Sequence, residues 1–527
     1  DGDGIGDLKG VTAKLDYIRS LNVDGLWLSP FYPSPQMDFG YDITNLTAVD
    51  PLFGTLDDFT ELLEQAHHRD LALLIDIVPC HTSDRHEWFE ESRRDPTGPK
   101  GDWYIWADSA DDGGPPNNWL SSFGGPAWTW EPRRSQYFFH PFLPCQPALN
   151  LQNPETLAAM LDVFRFWMAQ GVDGFRLDAV QCLTCDPLLR SNPPCPSGDR
   201  NPSLGGGSHN PFRKQLHYFD RDVPEAIPIL TAIRDVMRES TPECVAIGEL
   251  ADVDSSRAAV KYTKAGTRLH AVYDFDLIHR VKSVCEISEL LEVRNAFLGS
   301  GESLNVFTNH DSTRAVSNLT DFAVEAGRAE EASRLLLFLQ ATLRGGAILF
   351  QGDELGLTQP GLDYEDLQDP WGKTFWPDFE GRDGVRTPIP WRPGARNAGF
   401  SEAREAWLPV PEDHARRAVA VQDQDPGSVL NFLRDLLAWR REYPMLRNAS
   451  ETLVRGHDPN LVVFDRSRKD CRLTFVANMS LNPATMTLEK GDTLLDLPSS
   501  DCELEDLVLK VPGLSFAAIR RETPGPH

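Results

Sequence analysis

Residues 71–78 read LALLIDIV, an apolar run broken only by Asp76. Such a run suits a parallel strand covered on both faces, where neither side needs a polar row. Just upstream, Thr55 stands where an N-cap should be, with Asp57 and Asp58 in the first turn. Leu56, Phe59, Leu62, Leu63 and Ala66 then recur at helical spacing. The pairing of helix with buried strand repeats along the chain. Strand-like runs stand at 23–29, 172–177, 245–248, 271–273, 304–308 and 347–350, and helical stretches at 154–169, 224–239, 326–343 and 429–442. That order predicts an α/β fold with a parallel sheet. Seven strands are counted where a closed (β/α)8 TIM barrel needs eight, so one strand is expected ahead of residue 1. An open doubly wound sheet fits less well. No G-x-G-x-x-G follows the first strand, and polar residues end many strands instead of gathering at one switch point.

Two segments interrupt the alternation. Residues 84–150 are rich in Trp, Pro, Gly and Asn and too long for a simple βα loop, so an inserted domain is expected there. From 448 onward, short alternating runs such as LVVFDRS (461–467) and LTFVANMS (473–480) predict an antiparallel β-domain. The expected domains are therefore 1–83 with 151–447 as the barrel, 84–150 as the insertion, and 448–527 as the β-domain. Gly205–Gly207 reads as a flexible loop.

Composition narrows the partners. The 527 residues are 41% hydrophobic and 25% charged, with a formal net charge of −28. That excess argues against nucleic acid and anionic membranes, which would repel it, and fits an enzyme with a neutral substrate. No run of 18 apolar residues is present to form a transmembrane helix. The opening DGDGIGDLKG, without Met or a signal peptide, implies a processed or truncated start. Nine scattered cysteines form no disulfide framework, which fits free thiols in a reducing, cytoplasmic compartment. Cys182-x-x-Cys185 with Cys195 is half a zinc site lacking a clear fourth ligand, so free thiols are the preferred reading.

The chemistry is expected at the carboxyl ends of the strands, where a TIM barrel builds its active site. Those ends carry Asp76 and His81, then Arg176 and Asp178, then Glu249, then His310 and Asp311. Any one of them alone reads as a solvated loop charge; the set at successive strand ends does not. Glycosidic bond cleavage needs one carboxylate to attack the anomeric carbon and a second to protonate the departing oxygen. Arg176 lies two residues before Asp178, so on a strand both point to one side, where a guanidinium keeps the carboxylate ionised and oriented. Neutral histidines can hydrogen-bond sugar hydroxyls. Neither H-E-x-x-H nor G-x-S-x-G occurs, so zinc hydrolysis and serine esterase chemistry find no support.

DIVPCHTS at 76–83, GFRLDAV at 174–180, GEL at 248–250 and FTNHDSTR at 307–314 resemble the four ordered motifs of glycoside hydrolase family 13, the α-amylase family. GYDITN (40–45), QPALNLQNPE (146–155) and FQGDELGL (350–357) agree with it. RTPIPWRPGARNAGFS (386–401), NNWLSSFGGPAW (117–128) and LRSNPP (189–194) resemble the α-glucosidase and oligo-1,6-glucosidase branch. The resemblance implies a barrel, a domain B inserted after the third strand and a C-terminal β-domain. By position it implies Asp178 as nucleophile, Glu249 as acid/base and Asp311 as the third carboxylate. Tyr41, Asp42, His81, Arg176, His310 and Arg314 match residues around the sugar cleaved, and Asp42 and Arg314 are expected to close the pocket behind a non-reducing glucose.

The activity implied is retaining, exo-acting hydrolysis of α-glucosidic bonds in short oligosaccharides or α-glucosides. The alternatives are a transglucosylase or isomerase of trehalose synthase or sucrose isomerase type, and a catalytically inactive fragment or scaffold homologue. No cofactor is required. Asp1, Asp3, the Ile5 carbonyl and Asp7 fall at the ligand spacing of an EF-hand-like Ca2+ loop whose first ligand is missing, with Gly4 at the tight turn, so a weak or absent site is expected. Three positions depart from the family pattern. Cys80 stands where amylases carry a calcium-ligating Asn, Ala148 replaces the Asp of the QPDLN motif, and Ala179 replaces the Val or Thr that goes with linkage preference.

Overall fold

In the computed structural model, which describes residues 2–196, 210–251, 255–297, 301–468 and 471–522, the LALLIDIV run enters a parallel sheet. Strand β1 (Gly25–Leu28) pairs in parallel with β2 (Ala72–Ile77). The chain then leaves the sheet and makes a small antiparallel one from β3 (Trp106–Ala107), β4 (Trp128–Glu131) and β5 (Gln136–Phe139), in the order β3-β5-β4. The parallel sheet resumes with β6 (Gly174–Leu177), β7 (Val245–Leu250), β8 (Ala271–Asp274) and β9 (Ser303–Leu304), giving β1-β2-β6-β7-β8-β9. A single parallel bridge from Asn305 to Ala347 carries it one position further.

The last two expected strands are shorter than 304–308 and 347–350. Side-chain amides take over where the ladder stops. Gln340 Nε2 donates to the carbonyls of Asn305 and Ile348, and Asn305 Nδ2 donates to those of Gln340, Leu343 and Arg344. Backbone groups that would need strand partners are satisfied by these amides instead.

Helices alternate with the strands as their apolar spacing demands. Helix Leu56–His67 begins with a capping box: Thr55 Oγ1 accepts from Asp58 N, and Asp58 Oδ2 accepts from Thr55 N. Its Phe59, Leu62, Leu63 and Ala66 are buried, whereas Leu56, at the first helical position, is exposed. Helix Pro154–Gln170 is capped by Asn153 and ends at Gly171, whose φ of 101° is the left-handed conformation a helix C-terminus favours. Between β2 and β6 this makes one strand-helix-strand unit, with the β3–β5 sheet hanging from the loop after β2. Ala148, where the family pattern has Asp, is buried in the apolar cluster of Trp119, Trp128 and Phe139 that holds that sheet. Its backbone bridges to His81 and bonds to Ile105 and Phe139, so apolar packing and main-chain bonds support the inserted sheet at this point.

The C-terminal region is all antiparallel: β10 (Ser450–Leu453), β11 (Leu461–Arg468), β12 (Cys471–Asn478), β13 (Ala484–Thr487), β14 (Thr493–Leu494), β15 (Glu503–Glu505), β16 (Val508–Val511) and β17 (Phe516–Glu522). They form two sheets, β10-β11-β12-β17-β14 and β13-β16-β15. The LVVF run is apolar throughout because β11 is covered on both faces. Val462 and Phe464 pack with helices Ala329–Thr342 and Val429–Glu442, while Leu461 and Val463 face Met486, Leu509 and Val511 of the second sheet. Gly205–Gly207 lies outside the described residues.

Candidate active site

Sheet register assembles the site. The pairs Asp76–Arg176 and Arg176–Ile247 put Asp76 level with Arg176 on neighbouring strands. Leu177–Gly248 makes Asp178 the neighbour of Glu249 one position on, and Glu249 pairs with Tyr273 of β8. Side chains alternate along a strand, so Asp76, Arg176, Asp178, Glu249 and Tyr273 all point to the same interior.

Arg176 is the hub of that interior and is buried, with 1% of its surface exposed. Nη1 donates to both oxygens of Asp76 at 3.0 Å and to Asp178 Oδ1 at 2.7 Å. Nη2 lies 2.8 Å from Glu249 Oε1 and donates to the Tyr273 hydroxyl at 2.7 Å. Its guanidinium carbon sits 4.9 Å from the centre of the Trp27 ring, a cation–π floor. Among the described residues nothing hydrogen-bonds Asp178 Oδ2, which leaves that oxygen for an incoming carbon. Ala179 follows in the left-handed region at φ 42°, a conformation costing a non-glycine residue roughly 1–3 kcal/mol. This turn aims the Ala179 N–H at Glu249 Oε2, 3.2 Å away.

Tyr41, His310 and Asp311 form the opposite side. Tyr41 donates to Asp76 Oδ2 at 3.0 Å, and its oxygen lies 2.8 Å from His310 Nε2. Burial pulls His310 down to about 3, so the ring is neutral and, with its hydrogen on Nε2, donates to Tyr41. Two arginines hold Asp311 Oδ1: Arg382 at 3.1 Å and Arg386 at 2.8 Å. Arg386 also donates to the His310 carbonyl at 2.8 Å. Arg382 continues to Asp38 and Asp369 and lies against the stacked rings of Phe123 and Trp371. Asp383 accepts from the backbone of Gln368 and Asp369, which folds the 368–386 segment over the site. His81 is buried with Nε2 3.0 Å from the Tyr41 carbonyl and 3.2 Å from Gln146 Nε2; burial lowers it to about 4 and keeps it neutral. Cys80 Sγ lies 3.3 Å from His81 Nδ1.

The carboxyls divide by surroundings. Burial pushes Asp178 and Asp76 up to about 7 against the pull of Arg176, and pushes Glu249 up to about 8. Three carboxyls share one guanidinium, so a proton stays among them at neutral pH. Burial also raises Asp311, but the guanidinium groups of Arg382 and Arg386 outweigh it and hold that carboxyl well below the usual range. The site therefore contains buried carboxyls able to hold a proton at neutral pH beside a third group that stays anionic.

Asp42 and Arg314, expected to close the pocket, have these surroundings. Asp42 is buried and accepts from Ser34 Oγ, Met37 N and Asp38 N within its own turn. Arg314 is fully buried, donates to the carbonyls of Gln351 and Val385, and lies 3.8 Å from Asp353. No hydrogen bond joins it to Asp42 or Asp311. Of the calcium-spaced residues, Asp1 lies outside the described residues. Asp3 Oδ1 accepts from Ile5 N at 2.8 Å, and Asp7 Oδ1 caps helix Leu8–Ala13 through Gly10 N. Among the described residues no three His, Cys, Asp or Glu side chains converge as a metal site, Cys182 and Cys185 included. Tyr273, Arg382 and Arg386 contact the candidate site residues and were missed by the strand-end reading. Arg386 opens the RTPIPW motif and Tyr273 ends a strand run, so both carried a signal; Arg382 sits in a loop with none.

A model of the α-amylase catalytic domain matches residues 1–449. The chain is 44% identical over 490 residues to a probable α-glucosidase of Rhizobium meliloti, covering 93% of this chain and 88% of the relative. It is 31% identical over 528 residues to an oligo-1,6-glucosidase of Heyndrickxia coagulans, covering 93% and 91%. The crystal structure of an α-glucosyl transfer enzyme superimposes with a TM-score of 0.94 at 44% identity, over 99% of this chain and 96% of that one.

Proposed function

Because this chain belongs to the α-amylase family and is a glycoside hydrolase on a TIM-barrel fold, we propose that it is a retaining, exo-acting α-glucosidase acting on short oligosaccharides or α-glucosides. One observation carries the reading: a single buried guanidinium holds Asp178 on Nη1 and Glu249 on Nη2. Two carboxyls on one fork lie close enough to flank one glycosidic linkage, which supports a two-carboxyl mechanism, read here with the family as double displacement. Asp178 attacks the anomeric carbon while Glu249 gives its proton to the leaving oxygen, leaving a covalent glucosyl-Asp178. Glu249, now ionised, takes a proton from water as that water attacks, and Asp178 departs with the configuration retained. Asp311, anionic and fixed by Arg382 and Arg386, accepts hydrogen bonds from the sugar hydroxyls, and neutral His310 hydrogen-bonds the same ring, with His81 holding the Tyr41 turn beside it. No step needs a metal or cofactor.

A second reading rests on the likeness to the α-glucosyl transfer enzyme: the same intermediate passes to a sugar or alcohol instead of water. Digestion of maltose, isomaltose and sucrose, followed by proton NMR of the first turnovers, tests both. α-Glucose as the first product supports the hydrolase; β-glucose first overturns retention. Disaccharides or glucosides outweighing free glucose when an acceptor is added favour transfer.

A further inference from the structure

Tyr273 is absent from the roles above, yet its hydroxyl contacts both the hub arginine and the acid/base. Arg176 Nη2 donates to it at 2.7 Å, and Nε lies 3.3 Å away. With its lone pairs engaged by the guanidinium, the hydroxyl has its own hydrogen left to give, and Glu249 Oε1 stands 3.1 Å away to accept it. The ring is fully buried between Trp27 and Phe275, which fixes its direction. Burial drives the phenol well above its ordinary value, so it remains a donor at every working pH.

We infer that Tyr273 is a positioning residue that holds Glu249 Oε1 and sets the balance between its acid and base forms. The inference rests on Glu249 being the acid/base. A donor aimed at a carboxylate stabilises the ionised form. That opposes the desolvation which keeps Glu249 protonated. Glu249 needs both forms in turn, protonated to expel the leaving group and ionised to activate water. The hydroxyl of Tyr273 therefore assists the second half-reaction, in which the glucosyl-enzyme is released.

Tyr273→Phe removes only the hydroxyl. A hydrogen bond to a charged group corresponds to about one pH unit of displacement. The alkaline limb of kcat/KM, which reports protonated Glu249, should move up by about that much. The acid limb of deglycosylation, followed with a substrate whose activated leaving group makes that step slow, should move up too. Incorporation of 3-fluorotyrosine at 273 keeps the ring and strengthens the donor, so both limbs should move down. Equal losses at every pH with both limbs unmoved would overturn the inference, because a merely structural residue does that. Glu249→Gln separates the premise from the inference: if its alkaline limb survives, the limb is not that of Glu249 and the acid/base assignment falls first.

Discussion

Replacing Arg176 by Lys keeps the positive charge and removes the fork. The guanidinium touches Asp76, Asp178, Glu249 and Tyr273 at 2.7–3.0 Å from two nitrogens. A lysine ammonium is a point donor and reaches only part of that set. A carboxylate beside an arginine sits about 1–3 pH units lower than one without it. Asp178 stands at about 7 with the arginine present. Losing about 1–2 units of that support leaves on the order of 1–10% of Asp178 ionised at pH 7, against about half in the parent. Glu249 and Asp76 rise with it, since all three lean on the same cation. In Arg176→Lys, kcat/KM at pH 7 should therefore fall by about five- to fiftyfold, and by on the order of a hundredfold once lost orientation is added. Part of that loss should return at higher pH as both limbs of the profile shift alkaline. The assay is kcat/KM on an aryl α-glucoside from pH 5 to 10, with the folded state checked by circular dichroism. Limbs in their parental positions and a loss under threefold at pH 7 would refute the hub argument.

Three further outcomes follow from the same structure. Asp178 keeps its proton in the folded state up to about pH 7, whereas an unfolded aspartate releases it near 3.8. The folded protein thus binds more protons between those values, and stability falls as pH rises through that window. Asp178→Asn should gain a few kcal/mol on its parent between pH 4 and 8, read as a widening Tm difference; a constant difference contradicts this. Arg382→Met strips the buried guanidinium from Asp38, Asp369 and Asp311. It should cost about 3–5 kcal/mol in urea unfolding and raise KM, and a neutral result would mean those carboxylates find other partners. In the C-terminal domain, Phe464 is fully buried, stacks on Phe475 at 5.3 Å and packs toward the barrel helices. Phe464→Ala should cost about 3–5 kcal/mol by denaturant titration, and under 1 kcal/mol would show that the site collapses around the gap.

The parallel sheet was legible because its strands are buried on both faces, which writes LALLIDIV and similar runs directly into the sequence. The clustering of the carboxyls proposed as catalytic was legible because side-chain alternation placed Arg176 and Asp178 together and strand ends marked the rest. The strand expected over 304–308 was not. Its apolar pattern is that of a strand, but Gln340 and Asn305 satisfy the backbone by side-chain bonds that no local period records. Arg382 was equally hidden, since its partners Asp38 and Asp311 come from distant segments and Asp369 lies 13 residues back in its own. Arg314 stands three residues after Asp311 in sequence, yet the start of helix Ala315–Leu319 sends its guanidinium to the carbonyls of Gln351 and Val385. Sequence proximity could not report that turn.

The most direct test of the central claim is to trap the intermediate. A fluorinated α-glucosyl substrate with an activated leaving group, whose glucosyl-enzyme turns over slowly, is incubated with the protein and the digest is read by mass spectrometry. The account predicts one added fluoroglucosyl group on the peptide carrying Asp178, absent from Asp178→Asn. A label on Glu249 or Asp311, or fast turnover to β-glucose with no label anywhere, would contradict it.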